Sequence, residues 1–204
     1  MISTRQVLAS LWTVSTAFAA SSYPSLKVRN AGVPAGKMLN VSGIDMYLSY
    51  PPGSNTSSKA LLYLTDIFGV PLPQNQLLAD SLASNDYLVV MPDLFRGDAI
   101  SVEEQEAGLN LTGWLAEHPM SDIDSIVNTT IEYMRAELGV KQIGGLGYCF
   151  GGKYVPRFLT ENGGIDLGFI AHPSNLQEAE IGGITKGISI AAGSKLIPHM
   201  VYQD

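Results

Sequence analysis

Cysteine occurs once in this chain of 204 residues, at Cys149, and histidine three times, at His118, His172 and His199. One cysteine excludes an internal disulfide framework and leaves a thiol that is either buried and inert or reactive. There is no CxxC pair, no HExxH and no cluster of histidines, so a metal site has no support in the sequence. Basic residues are scarce too: 12 Lys plus Arg face 19 Asp plus Glu, for a formal net charge of −7. That balance argues against nucleic acid or an anionic membrane as partner and mainly favours solubility. Repeats, heptads and low-complexity tracts are missing apart from the short loop PPGSNTSSK at 51–59. With 46% hydrophobic and 15% charged residues, the composition is that of one globular domain with a sizeable core.

The N-terminal apolar run, within MISTRQVLASLWTVSTAFAA, is too short to span a bilayer comfortably. It has the form of a secretory signal: Arg5 supplies a positive start, residues 7–19 are apolar or small, and Ala17-Phe18-Ala19 fits the small-x-small cleavage rule. A buried or anchoring N-terminal helix is the competing reading. Four glycosylation acceptors, at Asn40, Asn55, Asn110 and Asn128, agree with secretion. The expectation is a signal peptide over 1–19, a domain over 20–204, and a secreted, extracellular glycoprotein.

Residues 37–50 suggest a hairpin turning at Ser42-Gly43, with Ile44, Met46 and Leu48 alternating. From residue 60 short apolar runs alternate with helical segments: ALLYLT at 60–65, a helix around 74–84, then YLVVMP at 87–92. Runs of this kind fit strands buried on both faces of a parallel sheet. A long connection over 95–120 carries Trp114 and the acids Glu103, Glu104 and Glu106, whose simplest use is a solvated helix face. Ser121, with Asp124 as a capping-box-like partner, opens a helix with Ile123, Ile126, Val127, Ile131 and Met134 on one face, and Gly139 ends it. A strand at 142–148, a helix over about 150–161 and strands at 167–173 and 187–193 complete the alternation. The fold class is therefore α/β, a doubly wound, mostly parallel sheet with helices on both faces.

The stretch GGLGYCFGGKY at 144–154 admits three uses. As a P-loop it satisfies GxxxxGK from Gly147 to Lys153, but Tyr154 replaces the hydroxyl that would hold magnesium, and Tyr148, Cys149 and Phe150 are bulky where backbone must approach a phosphate. As a nucleophile elbow it reads Gly147-Tyr148-Cys149-Phe150-Gly151, with cysteine in place of serine, between an apolar strand and a helix. The central residue of an elbow takes strained dihedrals, and only small neighbours two positions away leave it room. Such a turn puts the Phe150 N–H at a helix N-terminus, where it can stabilise an oxyanion and where the helix dipole favours a thiolate. The third use is bland: Cys149 as a small buried hydrophobe, with glycines serving strand–helix packing. The motif alone leaves the second and third open.

A wider match weighs for the elbow. LTDIFGVP at 64–71, ADSLASNDYLVVMPDLFRGD at 79–98, GYCFGGK at 147–153 and AHPS at 171–174 occur in the order found in the dienelactone hydrolases, a family of the α/β-hydrolase superfamily, which the chain resembles over roughly residues 40–193. The resemblance implies that Cys149 is the nucleophile on an ester or lactone carbonyl and that Ile67 and Phe150 supply the oxyanion N–H groups. Asp66 falls where the family commonly has a glutamate that interacts with the cysteine, and Arg96 lies near a family arginine that binds a substrate carboxylate. Phe68, Tyr148 and Phe150 would line the pocket, and His172 would support a loop or contact substrate. No cofactor is implied, and the partner is a small-molecule ester or lactone. The family order is nucleophile, acid, histidine. Here the last predicted strand is followed by SKLIPHMVYQD, with no acid in the turn, so the resemblance implies an α/β-hydrolase fold lacking its last βα unit. None of the three histidines fits: His118 reads as a loop residue, and His199 follows Gly193 too closely to leave room for a further strand. A cysteine hydrolase of small esters or lactones is expected, and the alternative is a catalytically impaired pseudoenzyme or truncated product.

Overall fold

The computed structural model describes residues 31–192. The expected signal peptide and His199 lie outside them. Strands β1 (Lys37–Val41) and β2 (Ile44–Ser49) form the expected hairpin. Ser42 and Gly43 take φ of 53° and 79°, the positive values that a tight two-residue hairpin turn requires. Asn40 braces the turn, accepting from the Gly43 N–H and donating to Asp45.

Five further strands follow: β3 (Lys59–Leu64), β4 (Leu88–Pro92), β5 (Gln142–Tyr148), β6 (Leu167–Ala171) and β7 (Ile188–Ala191). The seven lie in one sheet in the order β1-β2-β4-β3-β5-β6-β7. From β4 to β7 all neighbours run parallel, while β2 meets β4 antiparallel. The helices are α1 (Pro73–Ala83), α2 (Val102–Glu106), α3 (Leu111–Glu117), α4 (Met120–Ala136), α5 (Phe150–Phe158) and α6 (Glu178–Gly182).

Alternate residues of each strand serve opposite faces. Leu62, Leu64 and Val90 join one core with Ile126, Val127 and Met134 of α4 and Val155 of α5. Tyr63, Val89 and Met91 join the other with Ala79 and Ala83 of α1. Both faces of the central strands are therefore covered, as their continuous apolar runs predict.

Three boundaries differ from expectation for local reasons. Helix α4 starts one residue before Ser121, because the Pro119 carbonyl already accepts from the N–H groups of Asp122 and Ile123. Ser121 is no cap, and Asp124 pairs instead with Arg157. Helix α5 stops at Phe158, with a turn at 160–163 closed by the Gly163 N–H on the Thr160 carbonyl. Strand β6 stops at Ala171 because His172, at φ 38°, leaves the extended region.

The connection over 95–120 becomes a cap over the C-terminal edge of the sheet. A reciprocal Ser101–Glu104 capping box starts α2, and the Asn110 side chain caps α3 by accepting from the Gly113 N–H. Glu103, Glu104 and Glu106 are exposed, while Trp114 is buried with its indole N–H donated to the Asp98 carbonyl. The Trp114 ring packs against both Phe95 and His118, with centroids at 4.8 and 4.2 Å, and so fastens the cap to the core.

Candidate active site

Strand β3 has β4 on one side and β5 on the other, so the chain reverses its direction of winding at the β3/β5 seam. In open α/β sheets the crevice beyond the strand ends at such a point is where ligands bind. Cys149 stands there, in the single step between the end of β5 and the start of α5. Its φ of 48° and ψ of −111° lie outside the regions open to ordinary L-residues, a strain of about 1–3 kcal/mol.

Local bonds hold that strain. The Cys149 N–H donates to Ala171 O at 3.1 Å, and Cys149 O accepts from the N–H groups of Gly152 at 3.2 Å and Ser174 at 2.9 Å. The Gly151 N–H donates to Thr65 O at 2.8 Å, pinning the first turn of α5 to the end of β3. A Cβ on Gly147 would come within 2.6 Å of Gly151 O, and one on Gly151 within 2.1 Å of Leu64 O. The requirement for small residues on either side of the turn is thus a matter of backbone contact. The free thiol of Cys149 is half-buried.

The thiol opens on a cavity of about 410 Å³. Ile67 after β3, Phe150 and Tyr154 of α5, and Ser174 and Asn175 after β6 form its floor, while Leu111, Leu115, His118, Pro119 and Met120 of the cap form its roof. Ile67 is held in place through its carbonyl, which accepts from the Ile100 N–H at 3.0 Å. The dienelactone hydrolase family model matches residues 44–195, three quarters of the chain and every element from β2 to β7.

This chain belongs to the dienelactone hydrolase family. It is 43% identical over 164 residues to the hydrolase pyvD of Aspergillus violaceofuscus, covering 80% of this chain and 66% of that protein. With the hydrolase tropI of Talaromyces stipitatus it shares 42% over 176 residues, covering 82% and 68%. The dienelactone hydrolase 1 of Gibberella moniliformis is 29% identical over 157 residues, covering 74% and 59%. The chain therefore spans between 59% and 68% of the length of these relatives. In fold it is similar to a dienelactone hydrolase-like promiscuous phosphotriesterase from metagenomic libraries, with TM-score 0.60, 13% identity and coverage of 80% of this chain and 70% of that one.

Of the residues singled out by their match to the dienelactone hydrolases, Cys149, Ile67 and Phe150 meet at the cavity. Asp66, Phe68, Arg96, Tyr148 and His172 lie outside its described wall. The Asp66 carboxylate accepts from the Phe68 N–H at 3.1 Å and from the Asn75 amide at 3.0 Å, and the Asn75 oxygen in turn accepts from the Tyr63 hydroxyl. Burial, then the negative Asp66, pushes the Tyr63 phenol far up, so it remains the donor of this chain. Asp66 thus braces the loop that carries Ile67. Arg96 sits at φ 51° and is exposed, with its guanidinium donating toward Gly43 O at 3.4 Å, on the hairpin side of the sheet. Tyr148 packs edge-on against Tyr63 and 5.9 Å from the exposed ring of His172.

Two features of the site are absent from the sequence reading. His118 ends α3 at the cavity roof, with Nδ1 2.8 Å from Trp114 O and Nε2 3.4 Å from the Asp98 carboxylate. Lys153 is buried, with its ammonium 3.1 Å from Glu180 and 2.8 Å from Asn175 O. Glu180 also accepts from Arg157 at 2.9 Å, and Arg157 binds Asp124. Burial pushes the Glu180 carboxyl up, but the Gln177 N–H, Lys153 and Arg157 together outweigh it and hold the group below the usual carboxylate range. This chain of charges ties α4, α5 and α6 to the loop at 174–175, behind the cysteine. The sequence signal was limited to the GGK of the elbow, whose lysine finds its partner 27 residues away.

The four acceptor asparagines, Asn40, Asn55, Asn110 and Asn128, are all exposed. Among the described residues no group of His, Cys, Asp and Glu could hold a metal ion, and no helix is long and apolar enough to cross a membrane.

Proposed function

We propose that this member of the dienelactone hydrolase family hydrolyses small esters or lactones through Cys149. The observation that carries the reading is the strained elbow that presents the thiol to an apolar cavity at the winding reversal of the sheet. The Cys149 sulfur attacks the carbonyl carbon, and the carbonyl oxygen takes up the negative charge of the tetrahedral intermediate. The Phe150 N–H opens α5, where helix geometry leaves amides without intrahelical partners, and Ile67 faces it from the end of β3; their two N–H groups receive the oxyanion. The thiol proton passes to solvent, and collapse of the intermediate expels the alcohol oxygen with its electron pair, which takes up a proton from solvent, and leaves a thioester. Water then cleaves the thioester, releasing the acid and returning the thiol. Exposure of all four acceptor asparagines supports the companion proposal of a secreted glycoprotein, for which a mass loss on enzymatic deglycosylation is the check.

A p-nitrophenyl ester tests the nucleophile apart from leaving-group protonation, because p-nitrophenolate leaves without being protonated. Mixing enzyme with p-nitrophenyl butyrate should release a burst of nitrophenolate stoichiometric with enzyme, absent in Cys149→Ala and after iodoacetamide treatment. A wild type no faster than Cys149→Ala would overturn the assignment.

A further inference from the structure

We infer that the cavity beside Cys149 selects neutral, apolar acyl groups and lactones and rejects substrates that carry a carboxylate. This names the substrate class of the site and rests on the functional reading above. An anionic substrate needs a cation with donors to spare, and a carboxylate moved from water into an apolar site without one is strongly disfavoured. Among the described residues one ammonium or guanidinium, that of Lys153, reaches the cavity wall, and it is committed. The Lys153 ammonium is shared between Glu180 and Asn175 O, and the His118 ring lies against Trp114 O and Asp98. Arg96, the arginine whose sequence position lies nearest the family's carboxylate-binding one, donates toward Gly43 O on the hairpin and lines a smaller pocket with Glu117 and His118, not the wall of this cavity.

The remaining surface is apolar. Leu111, Leu115 and Met120 line the cavity while staying 43%, 39% and 48% exposed, so they form an open apolar mouth. The cap also carries Glu103, Glu104 and Glu106 on α2 and Glu117 at the end of α3, all exposed, on a chain of net charge −7. This field repels anions before they reach the thiol, and the leucines reward an alkyl chain that enters.

Alkylation of Cys149 reads the preference without requiring turnover. In that step sulfur forms a bond to the methylene carbon of an iodoacetamide, iodide leaves with the bonding pair, and the thiol proton passes to solvent. Two reagents are compared at one pH on the folded protein: N-hexyl iodoacetamide, and the analogue whose terminal methyl is replaced by a carboxylate. After division by their rates with a small free thiol, the neutral reagent should react about tenfold faster or more. Leu115→Arg, which places an unpaired cation at the mouth, should shrink that ratio several-fold, and the exposure of Leu115 makes the variant safe for folding. A ratio near one, faster reaction of the anionic reagent, or labelling of Cys149 by both no faster than in the urea-unfolded chain would each overturn the inference. Because the readout is alkylation, failure of the ester burst with the tenfold preference intact would sink the hydrolase reading and leave the selectivity standing.

Discussion

The sharpest test of the elbow is to add one methyl group at Gly151. A Cβ there would sit 2.1 Å from Leu64 O, 2.4 Å from Leu64 C and 2.6 Å from Thr65 O. Carbon contacts settle at about 3.5–4.0 Å, so the start of α5 must move away from β3 by about 1 Å or more. All three clashing atoms are backbone at the end of a central strand, and no side chain can swing aside. Overpacking of a tight site costs about 1–3 kcal/mol. Stretching the Gly151 N–H bond to Thr65 O adds about 1 kcal/mol, and the better helix propensity of alanine returns up to about 1. The expected loss is about 1–4 kcal/mol, which a domain of ordinary stability survives.

The same displacement separates the Phe150 N–H on α5 from Ile67 on the β3 side. If both N–H groups serve the oxyanion, Gly151→Ala loses about 100-fold or more in acylation rate while still folded. Urea unfolding followed by the fluorescence of the buried Trp114 gives the first number, and the nitrophenolate burst gives the second. Gly182→Ala is the control: nothing lies within 4 Å of its added Cβ, and it should change neither by more than the helix-propensity increment. A Gly151→Ala protein with wild-type stability and an unchanged burst would refute the account of the turn.

Two further variants probe the framework behind the cysteine. Glu180→Gln leaves the buried Lys153 ammonium without its carboxylate and should cost about 3–5 kcal/mol at neutral pH by urea unfolding. Because the folded Glu180 carboxyl is held below its ordinary range, its contribution is complete above about pH 4.5 and fades as pH falls through the folded value, so wild type and variant should converge in acid. The Thr65 hydroxyl is fully buried and has no hydrogen-bond partner within the described structure, so Thr65→Val should leave stability equal or raise it by about 1 kcal/mol; a clear loss would show that the hydroxyl is satisfied in solution.

What could be read from the chain alone was what local chemistry dictates. The strands announced themselves because Leu62, Tyr63, Leu64 and Val89 to Met91 are buried on both faces, which forces unbroken apolar runs. The elbow was legible because its strain demands glycine at fixed offsets from Cys149, and the contacts at Gly147 and Gly151 supply the steric reason. The start of α4 was misplaced because a capping pattern is only one way to satisfy a helix end, and Pro119 provided another.

The cavity roof was not legible, and the reason is the path of the chain. His118 to Met120 approach Cys149 only because α2 and α3 fold back over the strand ends, a packing decided by the Trp114, Phe95 and Phe150 ring cluster. No periodicity in residues 95–120 encodes that approach. Residue-by-residue transfer from a family motif meets the same limit. Position in sequence carries Ile67 to the site because it is anchored three residues beyond the end of a central strand. It does not carry Arg96, whose turn at φ 51° sends the side chain to the hairpin. Strand-end positions next to the sheet therefore transfer with their geometry, whereas loop positions transfer only with their contacts, and in this cavity the loops are where selectivity between neutral and anionic substrates is set.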